Sequence, residues 1–192
     1  MENKNSAFKE FISPILVLVV ICFAVTFLLA FTYGITAPII AENTAKAASE
    51  ARMELLPDAD GFSEANAVPY VLEEGKVYVV DTYVADNGTG MVVTVKSNSY
   101  GGLLTAMVGI DADGAVTGVK ITDHADTPGV GTKAQDAGHL SQYTGLTELG
   151  SVNIKDHADS VHEVTGASVS SGAIHKAVYC ALEQYKAMGG VK

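Results

Sequence analysis

The run Thr165-Gly166-Ala167-Ser168-Val169-Ser170-Ser171 concentrates hydroxyl side chains immediately before an amphipathic helical pattern. A helix start needs one of them: Ser170 or Ser171 at the N-cap would accept a bond from an otherwise unpaired helix N–H. The rest are surplus to capping. An anion beside the same helix end would be stabilised by its N–H donors and by the macrodipole. The small Gly166-Ala167 pair leaves Ser168 open to approach by another molecule. The residues alone leave three readings open: a phosphate site, a modified hydroxyl, or a capped helix and nothing more.

Two other stretches could approach a ligand with bare backbone. They are Tyr100-Gly101-Gly102 and "HADTPGVGTK", residues 124–133. Thr127-Pro128-Gly129-Val130-Gly131 makes a stiff turn that can bring N–H groups close to a flat ring or a phosphate. The same composition also serves a plain strand-to-helix connection. Other chemistries find less support. Asp111-Ala112-Asp113-Gly114 begins like a calcium loop, but Val116, Thr117 and Gly118 continue it as strand, without further oxygen ligands. His124, His139, His157, His162 and His175 have no closely paired metal-ligand spacing. No GxSxG elbow or Walker loop occurs. No catalytic residue and no metal ligand is assigned.

These segments sit on an α+β pattern. "KVYVVDTYVA" and "MVVTVKSNSY" are β-branched runs parted by the turn signal "DNGTG". "GGLLTAMVGID" and "AVTGVKITDHA" are joined through Asp113-Gly114, a hairpin signal. A twisted, largely antiparallel sheet is expected, flanked by helices. Residues 133–146 read as a helix and 58–75 as irregular. Ile174, Ala177, Val178, Ala181, Leu182, Tyr185 and Met188 fall at helical spacing, and Gly189-Gly190 end that helix. Cys180 lies among Val178, Ala181 and Leu182 and reads as a small buried apolar residue, unable to reach Cys22 for a disulfide.

No charged residue occurs from Phe11 to Ala41. The run exceeds the roughly 20 apolar residues that cross a bilayer, and is too long for a signal-peptide core of about 7–15. The expected division is a cytoplasmic tail at 1–10, a transmembrane helix at 11–35, a helical stalk at 36–57 begun by Pro38 in a first-turn position, and a head at 58–192. Lys4 and Lys9 against the more distant Lys46 and Arg52 place the N-terminus inside and the head outside. Of the formal charge of −10, all the excess acid follows Ala41. Such a head repels nucleic acid and anionic headgroups.

Taken together, the single N-terminal span, "TAPII", "YGGLLTAMVGID", "HADTPGVGTK" and "TGASVSS" make the chain resemble the FMN-binding G subunit of the Rnf complex, a ferredoxin:NAD+ oxidoreductase coupling electron transfer to Na+ or H+ transport. It is also similar to the C subunit of the Na+-translocating NADH:quinone oxidoreductase, whose larger head makes the Rnf member the better match. The resemblance implies covalent FMN, joined through its phosphate to the last residue of an Asp-x-x-(Ser/Thr)-Gly-Ala-(Thr/Ser) motif. Thr165, Gly166, Ala167 and Ser168 match that motif, and Ser168 becomes the attachment residue. His162 stands at the motif's aspartate position, with Glu163 beside it. Tyr100, Gly101, Thr127, Pro128 and Gly129 would touch the flavin. The implied partners are the other subunits of the complex and an Mg2+-dependent flavin transferase that takes FMN from FAD. The implied role is a redox subunit without independent catalysis.

Two other readings compete. In a cofactor-free anchored binding or scaffold domain, the hydroxyl cluster would only cap the helix. A pilin-like subunit would need a processing glycine and a glutamate near the apolar run, which Ala7, Phe8 and Lys9 do not supply.

Overall fold

The computed structural model describes residues 12–156 and 161–191. The expected tail at 1–10 with Lys4 and Lys9, the first residue of the expected span, Phe11, and His157 lie outside the described residues. Two compact units divide between Ala47 and Ala48.

The N-terminal segment is one continuous helix, α1 (Ser13–Leu55), with Pro38 inside it. The expected restart of a stalk helix at Pro38 is therefore corrected. A proline in a helix lacks the N–H for the residue four positions back and crowds that residue's carbonyl. Here that residue is Gly34, where an added Cβ would meet nothing within 4 Å. Within α1, Thr26, Thr32 and Thr36 return their hydroxyls to the carbonyls of Cys22, Leu28 and Thr32 at 2.8, 2.8 and 3.0 Å. Threonine can thus be carried in an apolar helix without an unpaired polar group. The helix contains an 18-residue window of mean hydropathy 3.0.

The second unit is an antiparallel sheet. Its strands are β1 (Phe62–Glu64), β2 (Val71–Glu73), β3 (Val77–Ala85), β4 (Gly90–Asn98), β5 (Leu103–Asp111) and β6 (Val116–Asp123). The order is β1-β3-β4-β5-β6, with β2 also on β3. Both short strands share the outer edge of β3: β1 pairs Tyr83–Ala85 and β2 pairs Val77 and Tyr78. Residues 58–75, expected to be irregular, thus contribute two edge strands. Three residues each are too few to show an alternation in sequence. The β5–β6 hairpin closes at Asp113-Gly114 as expected. Gly114 takes φ +88°, and Asp111 Oδ1 accepts the N–H groups of Asp113 and Ala115 at 2.9 and 2.8 Å.

Alternation along β4 assigns its two faces. Met91, Val93 and Val95 join one buried cluster and Val92 the other. Against the first face packs the long helix α3 (Ser168–Met188), burying Ile174, Ala177, Val178, Ala181 and Leu182. Full burial of one such Leu or Ile is worth roughly 1.5–3 kcal/mol. Gly189 at φ 73° ends the helix, its N–H bonded to the Lys186 carbonyl, and Gly190 N–H reaches the Tyr185 carbonyl at 3.2 Å.

The second face seats the last turns of α1. Gly109 and Gly118 are cross-strand partners, and Leu55 lies over both. A Cβ on Gly109 would come 2.9 Å from Leu55 Cβ. Thr117 Oγ1 donates to the Leu55 carbonyl at 2.7 Å, satisfying a helix-end acceptor.

The expected helix at 133–146 is broken. It consists of a 3-10 turn at Gly131–Gln135, a single α turn, α2 (Ala137–Leu140), and another 3-10 turn at Ser141–Tyr143. Extended backbone at Asp136 separates the first two, with φ −65° and ψ 143°.

Candidate functional site

Two tight turns frame the site. Thr127-Pro128-Gly129-Val130 closes with Val130 N–H on the Thr127 carbonyl at 3.1 Å, and Gly129 takes φ +74°. Proline second and a positive-φ glycine third are what a type II turn requires. Val164-Thr165-Gly166-Ala167 repeats the arrangement, with Ala167 N–H on the Val164 carbonyl at 2.9 Å and Gly166 at φ +83°.

The second turn runs straight into α3. Neither Ser170 nor Ser171 is its N-cap. Ala167 occupies that position without a side-chain cap, and Ser168 is the first helical residue. The expected capping role is corrected: both serines lie inside the first turn, and their side chains are engaged with residues outside the helix. Ser171 Oγ accepts Val164 N–H at 3.0 Å, tying the preceding turn onto the helix. Ser170 bonds Asp126. The first intrahelical bond is Ser171 N–H to the Ala167 carbonyl at 2.9 Å. Ser168, Val169 and Ser170 are therefore the N–H groups that helix geometry leaves without an intrahelical acceptor.

Those groups border a pocket of about 520 Å3 lined by Tyr100, Thr127, Val130, Gly131, Gly166, Ala167, Ser168, Val169 and Ser170. This is within the roughly 300–1,000 Å3 usual for small-molecule sites. Tyr100, Val130 and Val169 are 77, 52 and 55 % exposed, a high value for apolar side chains grouped at one opening. The pocket thus pairs an apolar rim with a helix N-terminus. That combination fits a flat ring carrying a phosphate, and Ser168 is among the lining residues. A second groove, of about 450 Å3, runs along β6 between Glu54-Leu55 and the 135–144 segment and holds no residue singled out from the sequence.

Behind the pocket wall lies Asp126, only 4 % exposed. Ser99 Oγ donates to Oδ2 at 2.6 Å, and Gly101 N–H to Oδ1 at 2.9 Å; Ser170 also bonds the carboxyl. Burial opposes the charged form, but these bonds and the nearby His124 outweigh it and hold the carboxyl below its ordinary value.

Of the residues singled out from the sequence, Tyr100, Thr127, Gly166, Ala167 and Ser168 line the pocket. Pro128 and Gly129 shape the first turn, Thr165 the second, and Gly101 serves Asp126. Val130, Gly131, Val169 and Ser170 were not singled out as site residues, nor was Asp126. Only the position of Asp126 directly before Thr-Pro-Gly hinted at it. His162, at the motif's aspartate position, is exposed, and its N–H donates to Gln142 Oε1 at 2.8 Å. His139 and His175 belong to the core instead, each beside buried Tyr143 with ring centroids 5.7 and 5.9 Å away. Among the described residues, no group of three or more His, Cys, Asp or Glu could hold a metal.

Residues 99–183 match the family described as "FMN-binding domain". Over 180 residues the chain is 30 % identical to the G subunit of the proton-translocating ferredoxin:NAD(+) oxidoreductase complex of Clostridium ljungdahlii, with 91 % of each chain covered. The G subunit of the Na(+)-translocating counterpart in Acetobacterium woodii is 28 % identical over 186 residues, 89 % of each chain. That of the ion-translocating oxidoreductase complex of Methanosarcina acetivorans is 26 % identical over 185 residues, covering 95 % of this chain and 98 % of that one. The chain belongs to the family of G subunits of ion-translocating ferredoxin:NAD(+) oxidoreductase complexes. Its N-terminal helix is long and apolar enough to cross a membrane, and the three relatives are named as subunits of multi-subunit complexes.

Proposed function

We propose that the chain carries FMN covalently on Ser168 and relays electrons within an ion-translocating ferredoxin:NAD+ oxidoreductase complex. The observation that carries this reading is the position of Ser168. It opens α3 at an end with no side-chain cap, borders the pocket, and is followed directly by exposed Val169. The helix end suits the phosphate, since the diester retains about one negative charge near the positive end of the macrodipole. Tyr100, Val130 and Val169 suit the ring. The flavin supplies the electron chemistry, and the chain holds and orients it.

Attachment requires a separate flavin transferase using FAD. Ser168 Oγ forms a bond to the phosphorus of the FMN half, the pyrophosphate P–O bond to AMP breaks, and AMP leaves. The hydroxyl proton passes to a base of the transferase. Covalent attachment suits a head on the extracytoplasmic side, where a lost flavin is not readily replaced. The positive-inside tendency of Lys4 and Lys9 supports that sidedness. In this reading residues 1–10 are a cytoplasmic tail, 11–35 the membrane span, 36–57 the stalk and 58–192 the FMN-binding head.

The test is co-expression of the full chain with a flavin transferase, followed by a denaturing gel. Flavin fluorescence at the chain's mobility, with a mass gain of FMN minus water that disappears in Ser168→Ala, is the expected result. An unlabelled wild type, or label surviving in Ser168→Ala, refutes the assignment.

A further inference from the structure

We propose that Asp126 is a positioning residue of this site: its carboxylate ties together the segments that wall the pocket and keeps a fixed negative charge directly behind it. The proposal rests on the assignment of FMN to this pocket for its redox consequence, while the positioning can be read in the flavin-free chain.

Three separate segments converge on this one side chain. The β4–β5 turn contributes Ser99 Oγ and Gly101 N–H, at 2.6 and 2.9 Å. The first turn of α3 contributes Ser170. The Thr127–Gly131 turn follows Asp126 directly in the chain and folds back over it. A Cβ on Gly131 would lie 2.9 Å from Asp126 Cβ and 3.0 Å from Ser170 Oγ. A Cβ on Gly101 would lie 2.1 Å from the Ala125 carbonyl oxygen and 2.8 Å from the Asp126 nitrogen. Each wall of the pocket therefore has a member on Asp126 or its backbone: Tyr100 through Gly101, Val130 through Gly131, and Ser168 through Ser170.

An ionised carboxylate is acceptor-only, and all these groups can act as donors to it. Gly101 N–H cannot reverse its role, so a neutral oxygen must at least replace that acceptor. The serine hydroxyls can rotate. Asparagine can therefore keep the shape while removing the charge, which separates positioning from electrostatics. In a partly dehydrated wall, a fixed negative charge opposes the arrival of an electron on a ring in the pocket. Its removal moves the midpoint potential of the attached flavin in the positive direction.

The experiment uses the full chain in lipid nanodiscs, wild type, Asp126→Asn and Asp126→Ala, each prepared with and without a flavin transferase. Hydrogen exchange on the flavin-free chains reads the positioning. Asp126→Ala is expected to exchange at least tenfold faster at residues 99–103, 127–132 and 164–171, with the β3–β4 pairing unchanged, and Asp126→Asn to restore most of that protection. Unchanged exchange in Asp126→Ala overturns the positioning role. Should Asp126→Ala not fold, Asp126→Asn decides the matter through the flavin-loaded chain. A more positive midpoint potential at wild-type exchange supports the proposal, and a wild-type potential overturns it. A wild-type chain that takes no flavin refutes the Ser168 assignment and the redox consequence with it. The exchange comparison then decides the positioning role by itself.

Discussion

Ser171 Oγ accepts the N–H of Val164, seven residues earlier, at 3.0 Å, so the turn that presents Ser168 is fastened to the helix that Ser168 begins. Ser171 is fully buried. Its replacement by alanine strands a partly buried backbone N–H, which costs about 1–3 kcal/mol. We expect Ser171→Ala to lower the melting temperature of the full chain in detergent and to slow flavin attachment. Equal attachment rates for mutant and wild type would show that the turn holds its shape without this bond.

Gly166 carries φ +83°, where an L side chain costs roughly 1–2 kcal/mol. A Cβ there meets nothing within 4 Å. In the flavin-free chain Gly166→Ala is thus a test of backbone strain alone. Destabilisation of that size in thermal melts, together with reduced flavin labelling, is expected. Ser168→Thr, by contrast, keeps a hydroxyl at the first helical position and should retain the label on a denaturing gel.

The folded-state value of Asp126 is below its ordinary 3.8. The unfolded chain therefore binds the proton more readily, and the stabilisation is fully present above the unfolded value. It is lost as pH falls through the folded value. The groups facing this carboxyl are Ser99, Gly101 and Ser170, with His124 as the nearby titratable neighbour. In urea melts from pH 6 downward, wild type should lose stability more steeply than Asp126→Asn. Parallel profiles would show that the carboxyl titrates alike in both states.

Gly109 and Gly118 offer a graded test of how the end of α1 is seated. A Cβ on Gly109 would meet Thr117 Oγ1 at 2.3 Å, Leu55 Cβ at 2.9 Å and the Leu55 carbonyl at 3.1 Å. On Gly118 it would meet only Leu55 Cδ2, at 3.1 Å, the end of a flexible side chain. Overpacking of the first kind costs typically about 1–3 kcal/mol. Gly109→Ala should lower the melting temperature clearly more than Gly118→Ala. The reverse order would contradict this packing.

Cys180 is fully buried, and burial pushes its thiol up to about 12. Since the thiolate is the reactive form, Cys180 should resist alkylation at pH 8 in the folded chain and react once denaturant is added. Mass spectrometry of Cys22→Ala isolates the signal to Cys180. Rapid labelling under native conditions would mean that α3 opens locally.

Much of this molecule is local in origin and could be read from the chain. The apolar run after Phe11 contains a membrane-length helix because no charge interrupts it. β-branched alternation and Asp113-Gly114 specified the β5–β6 hairpin, and the spacing from Ile174 to Leu182 specified the buried face of α3. Gly129, after Thr127-Pro128, announced its turn, because few other residues tolerate that backbone angle, whereas Gly166 read only as a small residue beside Ser168. What residue type could not decide was the partner of each polar side chain. Ser170 and Ser171 are both good N-caps in isolation, yet one bonds Asp126 and the other the Val164 N–H, so the helix starts at Ser168 instead. Asp126 looks like an ordinary loop acid until the fold brings Ser99, Gly101 and Ser170 to it. Pro38 reads as a helix start, yet α1 runs through it beside Gly34. A hydrogen bond between residues far apart in sequence depends on the packing of whole elements, and only the tertiary structure fixes that.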